Sequence, residues 1–123
     1  MKPRFFATPE ELQKWFDKNS EREKELLVGY YKKGSGRRSV TWPESVDEAL
    51  CVGWIDGVRR SLGEESYTIR FTPRRARSIW SSVNIRRMKV LFRAGRVTPA
   101  GEAAWEARDA KRSAQCSAPA LRS

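Results

Sequence analysis

The hydrophobic residues of this chain follow a helical spacing in some stretches and a strand-like spacing in others. A helix is predicted to begin at Thr8, because a threonine followed by proline is a common start signal. The next apolar residues lie three and four positions apart, as one face of a helix requires: Leu12, Trp15 and Phe16. The same signal predicts a second helix, capped by Thr41 or Trp42 and ending near Gly53.

Two further helices are predicted in the C-terminal half. One starts at Ser78 or Ser81 and stops near Gly95, a residue type that often ends helices. Its apolar residues again follow a helical spacing: Ile85, Met88, Leu91 and Phe92. The other starts at Thr98, which is followed by proline.

Three strands are predicted between these helices. The first is the short apolar run that contains Val28 and Tyr31. The other two form a hairpin over residues 54–73, with a turn at Gly63 and a stop at Pro73. The fold class is therefore α+β, with a small three-stranded antiparallel sheet, one strand plus a hairpin, flanked by four helices. Residues 1–110 form one domain, and residues 111–123 are predicted to be a disordered tail.

Composition narrows the chemistry that this domain can perform. The chain has 123 residues and no histidine, and its two cysteines are far apart, so neither a metal site nor a cofactor is expected. Cys51 lies in an apolar segment and is interpreted as a small buried residue. No export signal or membrane-spanning run is evident, so a cytoplasmic location without membrane insertion is predicted.

Positive charge is concentrated in residues 59–96. This stretch holds eleven Lys and Arg residues against two Glu residues, a net charge of +9, while the whole chain carries +10. Such a field attracts an anionic small molecule or an acidic protein partner, and it makes nucleic acid a possible partner too. A solvated, solubilising surface explains the charge equally well.

Several sequence blocks resemble a known bacterial family. The blocks "YYKKGSG", "TWPESVDEALCVGWIDGVRRSL", "YTIRFTPRR" with "SIWSSVN", and "AGRVTPAGEAAWEA" occur in this order. They are similar to successive blocks of the YdeI/OmpD-associated family, also called bacteriocin-protection proteins. The resemblance implies a role in bacteriocin protection or stress resistance, although the biochemical activity of that family is largely uncharacterised. It also implies that this chain lacks the family's C-terminal helical segment.

The segment "RFTPRRARSIWSSVN" is the main candidate for a binding site. Arginine side chains match the geometry of phosphates and carboxylates, and the start of the following helix adds positive potential. We predict a basic and aromatic anion-binding pocket at the end of the hairpin. Its predicted residues are Tyr31, Trp42, Asp56, Arg70, Arg74, Arg75, Trp80, Ser81 and Asn84.

Each candidate also has a structural interpretation. Most aromatic residues are expected to fill the core, because the chain contains few leucines and isoleucines, with Trp42 and Trp80 as the pair expected to be exposed. The arginines can pair with acids or stack on Trp80. Asp56, in "GWIDG", is the one weak candidate for acid or base catalysis, but it can equally cap the backbone or pair with an arginine. A binding module is thus favoured, with sequence-independent nucleic-acid binding and an Asp56 enzyme as alternatives.

Overall fold

The structure is a computed structural model, and it describes residues 2–113. Its four longer α-helices are α1 (Pro9–Asn19), α2 (Trp42–Cys51), α3 (Ser82–Arg93) and α4 (Pro99–Glu106), and a further helical segment occupies residues 110–113. They are accompanied by four strands: β1 (Arg4–Phe5), β2 (Leu26–Tyr31), β3 (Trp54–Ser61) and β4 (Ser66–Pro73). The mixed α+β class is confirmed.

The helix starts follow from hydroxyl caps, as the sequence predicts. Thr8, Thr41, Ser81 and Thr98 each accept a hydrogen bond from the backbone N–H three residues later. At α2 the bond is reciprocal, because the Glu44 side chain also accepts from the backbone of Thr41. Thr41 is therefore the cap of α2 rather than Trp42, and Ser81 is the cap of α3 rather than Ser78.

The sheet has one strand more than predicted. Its order is β1-β2-β4-β3, and β4 pairs antiparallel with both β2 and β3. The additional strand β1 pairs parallel to β2, so the sheet is four-stranded and mixed rather than three-stranded and antiparallel. A β-bulge interrupts the pairing of β3 with β4 between Asp56 and Arg59.

Two hydrophobic clusters form the core. The larger cluster packs α1 and α2 against the sheet, and includes Phe16, Trp54 and Phe71. The smaller one lies between α2, α3 and α4, and its buried members are Leu50, Cys51, Trp80, Met88 and Leu91. The predictions that aromatic residues fill much of the core and that Cys51 is buried are confirmed.

The close packing of α4 against the end of α2 depends on a glycine. A Cβ added at Gly101 would lie 2.2 Å from the carbonyl oxygen of Cys51. The side chain of Thr98 donates a hydrogen bond of 2.8 Å to that same oxygen. The absence of a side chain at Gly101 therefore allows the two helices to approach.

The predicted tail begins at residue 111, but residues 110–113 are helical. The remainder of the predicted tail lies outside the described residues. Across the part of the chain that the structure describes, no helix combines the length and the apolar character needed to cross a bilayer.

Candidate functional site

The sheet separates the predicted site residues between its two faces. Asp56 is opposite Phe71 in the antiparallel register, so it lies on the face that Phe71 presents to the core. Arg70 adjoins Phe71 in β4 and therefore projects from the other face. Tyr31, next to buried Tyr30, also belongs to that outer face, where its ring stacks on Phe5 at 4.4 Å.

The three predicted arginines have different surroundings. Arg70 forms an ion pair with Glu25, with 2.8 Å between its Nε and a carboxylate oxygen. Arg75 is exposed to solvent. Arg74 lies against Trp80, with its guanidinium carbon 3.8 Å from the centroid of the indole ring. Of the three predicted arginines, Arg74 is therefore the one that contacts Trp80, a predicted aromatic residue of the pocket.

The two tryptophans expected to be exposed behave differently. Trp42 is 48% exposed at the start of α2, as predicted, and its Nε1 donates a hydrogen bond of 3.1 Å to Asp56. Trp80 has no exposed surface, so the prediction for this residue was wrong. Its ring packs edge-on against Trp105, with the centroids 5.3 Å apart. Part of the covering surface comes from α4, which is remote from Trp80 in sequence.

Buried polar atoms without hydrogen-bond partners are concentrated at this place. In the described part of the chain five such side-chain atoms occur, and all five lie between residues 74 and 80. They are Nε, Nη1 and Nη2 of Arg74, Oγ of Ser78 and Nε1 of Trp80. Because native proteins pair most buried polar groups, this concentration requires an explanation. We call Arg74, Ser78 and Trp80 the Arg74 site.

The electrostatics of the Arg74 site reflect burial of a cation. Burial lowers the pKa of Arg74 to about 10, and the negative charge of Asp56 opposes this effect. Four of the nine predicted site residues thus form two contacting pairs, Trp42 with Asp56 and Arg74 with Trp80.

The loop that carries the Arg74 site is attached to the segment after α4. The backbone N–H of Arg77 donates to the carbonyl of Ala107 at 2.6 Å, and that of Asp109 donates to the carbonyl of Ser78 at 3.0 Å. The N–H of Trp80 donates to Oγ of Ser113 at 2.9 Å. Arg77 has a φ of +64°, which is uncommon for a residue other than glycine. These contacts hold the loop in one conformation.

Ser81 precedes α3 as its cap and Asn84 lies in the first turn of that helix, next to the Arg74 site in sequence. Oγ of Ser81 accepts a hydrogen bond of 3.1 Å from the backbone N–H of Asn84, so this hydroxyl serves as the helix cap. Ser78 was not predicted as a site residue. The sequence marks Ser78 only weakly as a site residue, because Ser78 and Ser81 are equally good candidates for the cap of α3.

Two surface grooves lie away from the Arg74 site, and the first is the wider of the two. It has a volume of about 1120 Å³ and is bordered by β1, α1 and the start of β2, with both basic and acidic side chains in its wall. A smaller groove of about 300 Å³ lies between α1 and α2 and includes Arg96. Neither groove borders the Arg74 site, whose polar atoms are enclosed. Within residues 2–113, no cluster of three or more potential metal-ligating side chains is present.

Comparisons with known proteins place the chain in a family without giving it an activity. No curated protein matches the chain, and neither does any solved structure. A family described as "Domain of unknown function (DUF8412)" matches residues 4–104, which is most of the chain. The matched region includes all four strands, the whole Arg74 site and most of α4. The chain therefore belongs to the DUF8412 family.

Proposed function

We propose that this protein is a binding module that holds a small anion at the Arg74 site. The observation that carries the proposal is the Arg74 guanidinium, whose three nitrogens are buried without a hydrogen-bond partner. Ser78 and Trp80 add one unpartnered polar atom each. Four of these five atoms are obligate donors, and a serine hydroxyl can also donate, so the group is complementary to an anion.

The energetic argument favours a ligand over a purely structural role. A buried donor without a partner costs roughly 1–3 kcal/mol, and more when the group is charged. Stacking on Trp80 recovers only part of this cost, because a cation–π contact is worth about 2 kcal/mol when desolvated. An anion that accepts from the guanidinium would form charge-assisted hydrogen bonds and remove the penalty.

Access to the Arg74 site requires a local movement, because its polar atoms are covered. Trp105 packs against Trp80, and residues 107–113 are joined to the loop by the three hydrogen bonds described above. Breaking a few such bonds at the edge of a domain is a low-energy opening compared with global unfolding. Ligand binding is then expected to be slower than diffusion allows.

Calorimetry tests the proposed function directly. Nucleotides, phosphosugars and acidic peptides are titrated into the wild-type protein, into Arg74→Met and into Arg75→Met. We expect at least one ligand class to bind the wild type and Arg75→Met, and to lose about tenfold or more in affinity with Arg74→Met. Equal binding to all three proteins, or binding to none, would remove the support for an anion site at Arg74.

The resemblance to the YdeI/OmpD-associated family adds a cellular hypothesis. On that basis we propose that anion binding serves bacteriocin protection or stress resistance. The test is survival of a bacteriocin-sensitive strain that produces the wild-type protein or Arg74→Met. Protection by the wild type and its loss in the variant would support the link. If cells that produce the wild-type protein survive no better than cells without it, the link is contradicted.

Nucleic-acid binding is a second candidate, and the outer face of α3 favours it. This helix carries four cations and no acid, and one of the four, Arg87, pairs with Asp47. The other three are exposed: Arg86, Lys89 and Arg93. If these three contact phosphates, log Kd should change with log salt with a slope of about 3. Salt-independent retention of DNA or RNA, or no retention at low salt, would exclude this candidate.

Catalysis by Asp56 has less support than either binding function. Its carboxylate accepts a hydrogen bond from Trp42, and its charge acts on Arg74. Both interactions suit a group that orients or neutralises its neighbours.

A further inference from the structure

The wider of the two grooves is bordered by α1, β1 and the start of β2, and we call it the α1 groove. Its volume is about 1120 Å³, which is enough for a small-molecule ligand. Phe6 and Leu26 line it, and both are buried members of the larger hydrophobic cluster. The α1 groove therefore reaches from the surface to the edge of the core.

Trp15 gives the α1 groove an aromatic wall in a fixed position. Its ring packs edge-on against Trp54 and Phe16, with centroids 6.0 Å and 5.6 Å away. The half-buried indole packs against the core and also borders the groove. Because the ring is already held in place, a ligand that packs against it does not have to order it first.

Four cationic side chains border the α1 groove, and none of them forms an ion pair among residues 2–113: Lys2, Arg4, Lys14 and Lys18. Lys14 and Lys18 are one helical turn apart in α1, so their Cβ atoms are about 5–6 Å from each other on one face of the helix. Like charges at this spacing repel each other. An anion bound between them would relieve the repulsion.

The acidic residues of the α1 groove neutralise these cations only in part. Glu25 pairs with Arg70 outside the groove, at 2.8 Å, so its charge is already compensated. Glu11 and Glu23 are the other acids in the wall. Four cations against two uncompensated acids leave the groove with a net charge of +2.

The apolar part of the α1 groove is accessible to a single molecule rather than to a flat surface. Among residues 2–113, the exposed large hydrophobic side chains all lie outside the groove. A membrane or a flat protein surface would therefore meet the charged rim first. A narrow apolar chain can pass between the charged side chains and reach Phe6 and Leu26.

We infer that the α1 groove binds a free amphiphilic anion, a molecule with one anionic head and an apolar body, the class that includes fatty acids. Lys14 and Lys18 bind the head through charge-assisted hydrogen bonds. The apolar body packs against Trp15, Phe6 and Leu26, where it is removed from water. This site is separate from the Arg74 site and does not depend on the function proposed for it.

The test uses sodium decanoate as the probe at about pH 7.5, where its carboxylate is charged. Nuclear magnetic resonance follows the indole Nε1–H of Trp15 and the amides of Leu26 and Leu27. We expect these signals to shift and to saturate. Decyltrimethylammonium has a similar chain with a cationic head, and acetate has the head alone. Each should bind at least about tenfold more weakly than decanoate.

Two double variants separate the local charge of the groove from the charge of the whole protein. Lys14→Gln with Lys18→Gln should weaken decanoate binding by about tenfold, and both residues are exposed, so the fold should be retained. Lys32→Gln with Lys33→Gln is the matched control, because it makes the same change of charge at exposed positions outside the groove. The control and Arg74→Met should both bind decanoate as the wild type does.

The remaining outcomes would overturn the inference. Equal binding of decanoate and decyltrimethylammonium, or equal losses in the two double variants, would show that the cations of the groove do not select the head. Shifts that do not saturate, or that leave Trp15 unchanged, would show that the groove is not the site. Loss of decanoate binding in Arg74→Met would place the ligand at the Arg74 site, which would support the proposed function instead. Tighter binding of hexaglutamate or of phosphatidylglycerol vesicles than of decanoate would assign the groove to a protein or a membrane.

Discussion

Replacement of Arg74 by methionine should stabilise the protein in the absence of a ligand. Methionine has a similar length and flexibility, so it can occupy the same space against Trp80 without a charge. The substitution removes three buried nitrogens that have no hydrogen-bond partner. Replacing a buried charged group by a packed apolar side chain is often neutral or stabilising. An increase in stability is therefore the expected result at this position.

The size of the stability change in Arg74→Met follows from two opposing contributions. Burial lowers the pKa of Arg74 to about 10, and a shift of this size corresponds to about 3 kcal/mol against the charged form in the folded state. Arg74 is protonated in both states near neutral pH, so this cost is fully present there and is relieved only as the pH rises past about 10. Loss of the cation–π contact with Trp80 offsets about 1–2 kcal/mol. The net gain for Arg74→Met is about 1–2 kcal/mol.

Urea unfolding at neutral pH measures this gain, and a thermal melt should show a rise in Tm of roughly 5 °C. Arg75→Met is the matched control, because Arg75 is exposed and neighbouring in sequence. Its unfolding free energy should change by less than about 0.5 kcal/mol. If Arg74→Met instead loses more than about 1 kcal/mol, the guanidinium makes a net favourable contribution to the fold, and the argument for an unsatisfied cation is refuted.

Three further predictions concern the core. Gly101→Ala places a Cβ against the carbonyl oxygen of Cys51, so urea unfolding should show a loss of about 2 kcal/mol or more, and unchanged stability would contradict this packing. Burial raises the pKa of Glu48, and the resulting contribution to stability is present at low pH and lost as the pH rises through the folded pKa. As the pH rises through that range, Glu48→Gln should therefore gain stability relative to the wild type. If urea unfolding gives the same free-energy difference between the two proteins at every pH, this prediction is wrong. Tyr30→Phe removes the buried hydrogen bond of 2.8 Å to Ser45 and should cost about 1 kcal/mol, whereas a stabilised variant would show that this bond contributes nothing.

The regular elements were predictable because their signals are local. Each hydroxyl cap, the prolines that follow three of them, and the alternation along β4 act within a few residues. Strand β1 was not predictable in this way. It has two residues, and it pairs parallel to β2 across the length of α1, so nothing local distinguishes Arg4 and Phe5 from a loop.

The candidate site was predictable in its chemistry but only partly in its arrangement. The sequence shows arginines beside a tryptophan, and the contact of Arg74 with Trp80 spans six positions. Arg70 is separated from Arg74 because strand alternation directs it to the outer face of the sheet. There Arg70 forms an ion pair with Glu25, which is 45 residues away in sequence. The burial of Trp80 depends on Trp105 and residues beyond it, which no local pattern connects with the hairpin.

The segment that is hydrogen-bonded to the loop of the Arg74 site lies outside the family match. The family match ends at residue 104, whereas the hydrogen bonds to the loop come from residues 107, 109 and 113. The residues that provide the unpartnered donors lie inside the matched region, and most of those that hold the loop lie outside it. Because burying a cation without a partner is unfavourable, the packing around the loop, which includes Trp105 against Trp80, must exceed that cost. An anion at Arg74 would remove the cost and stabilise the closed conformation, so binding and closure are expected to be coupled.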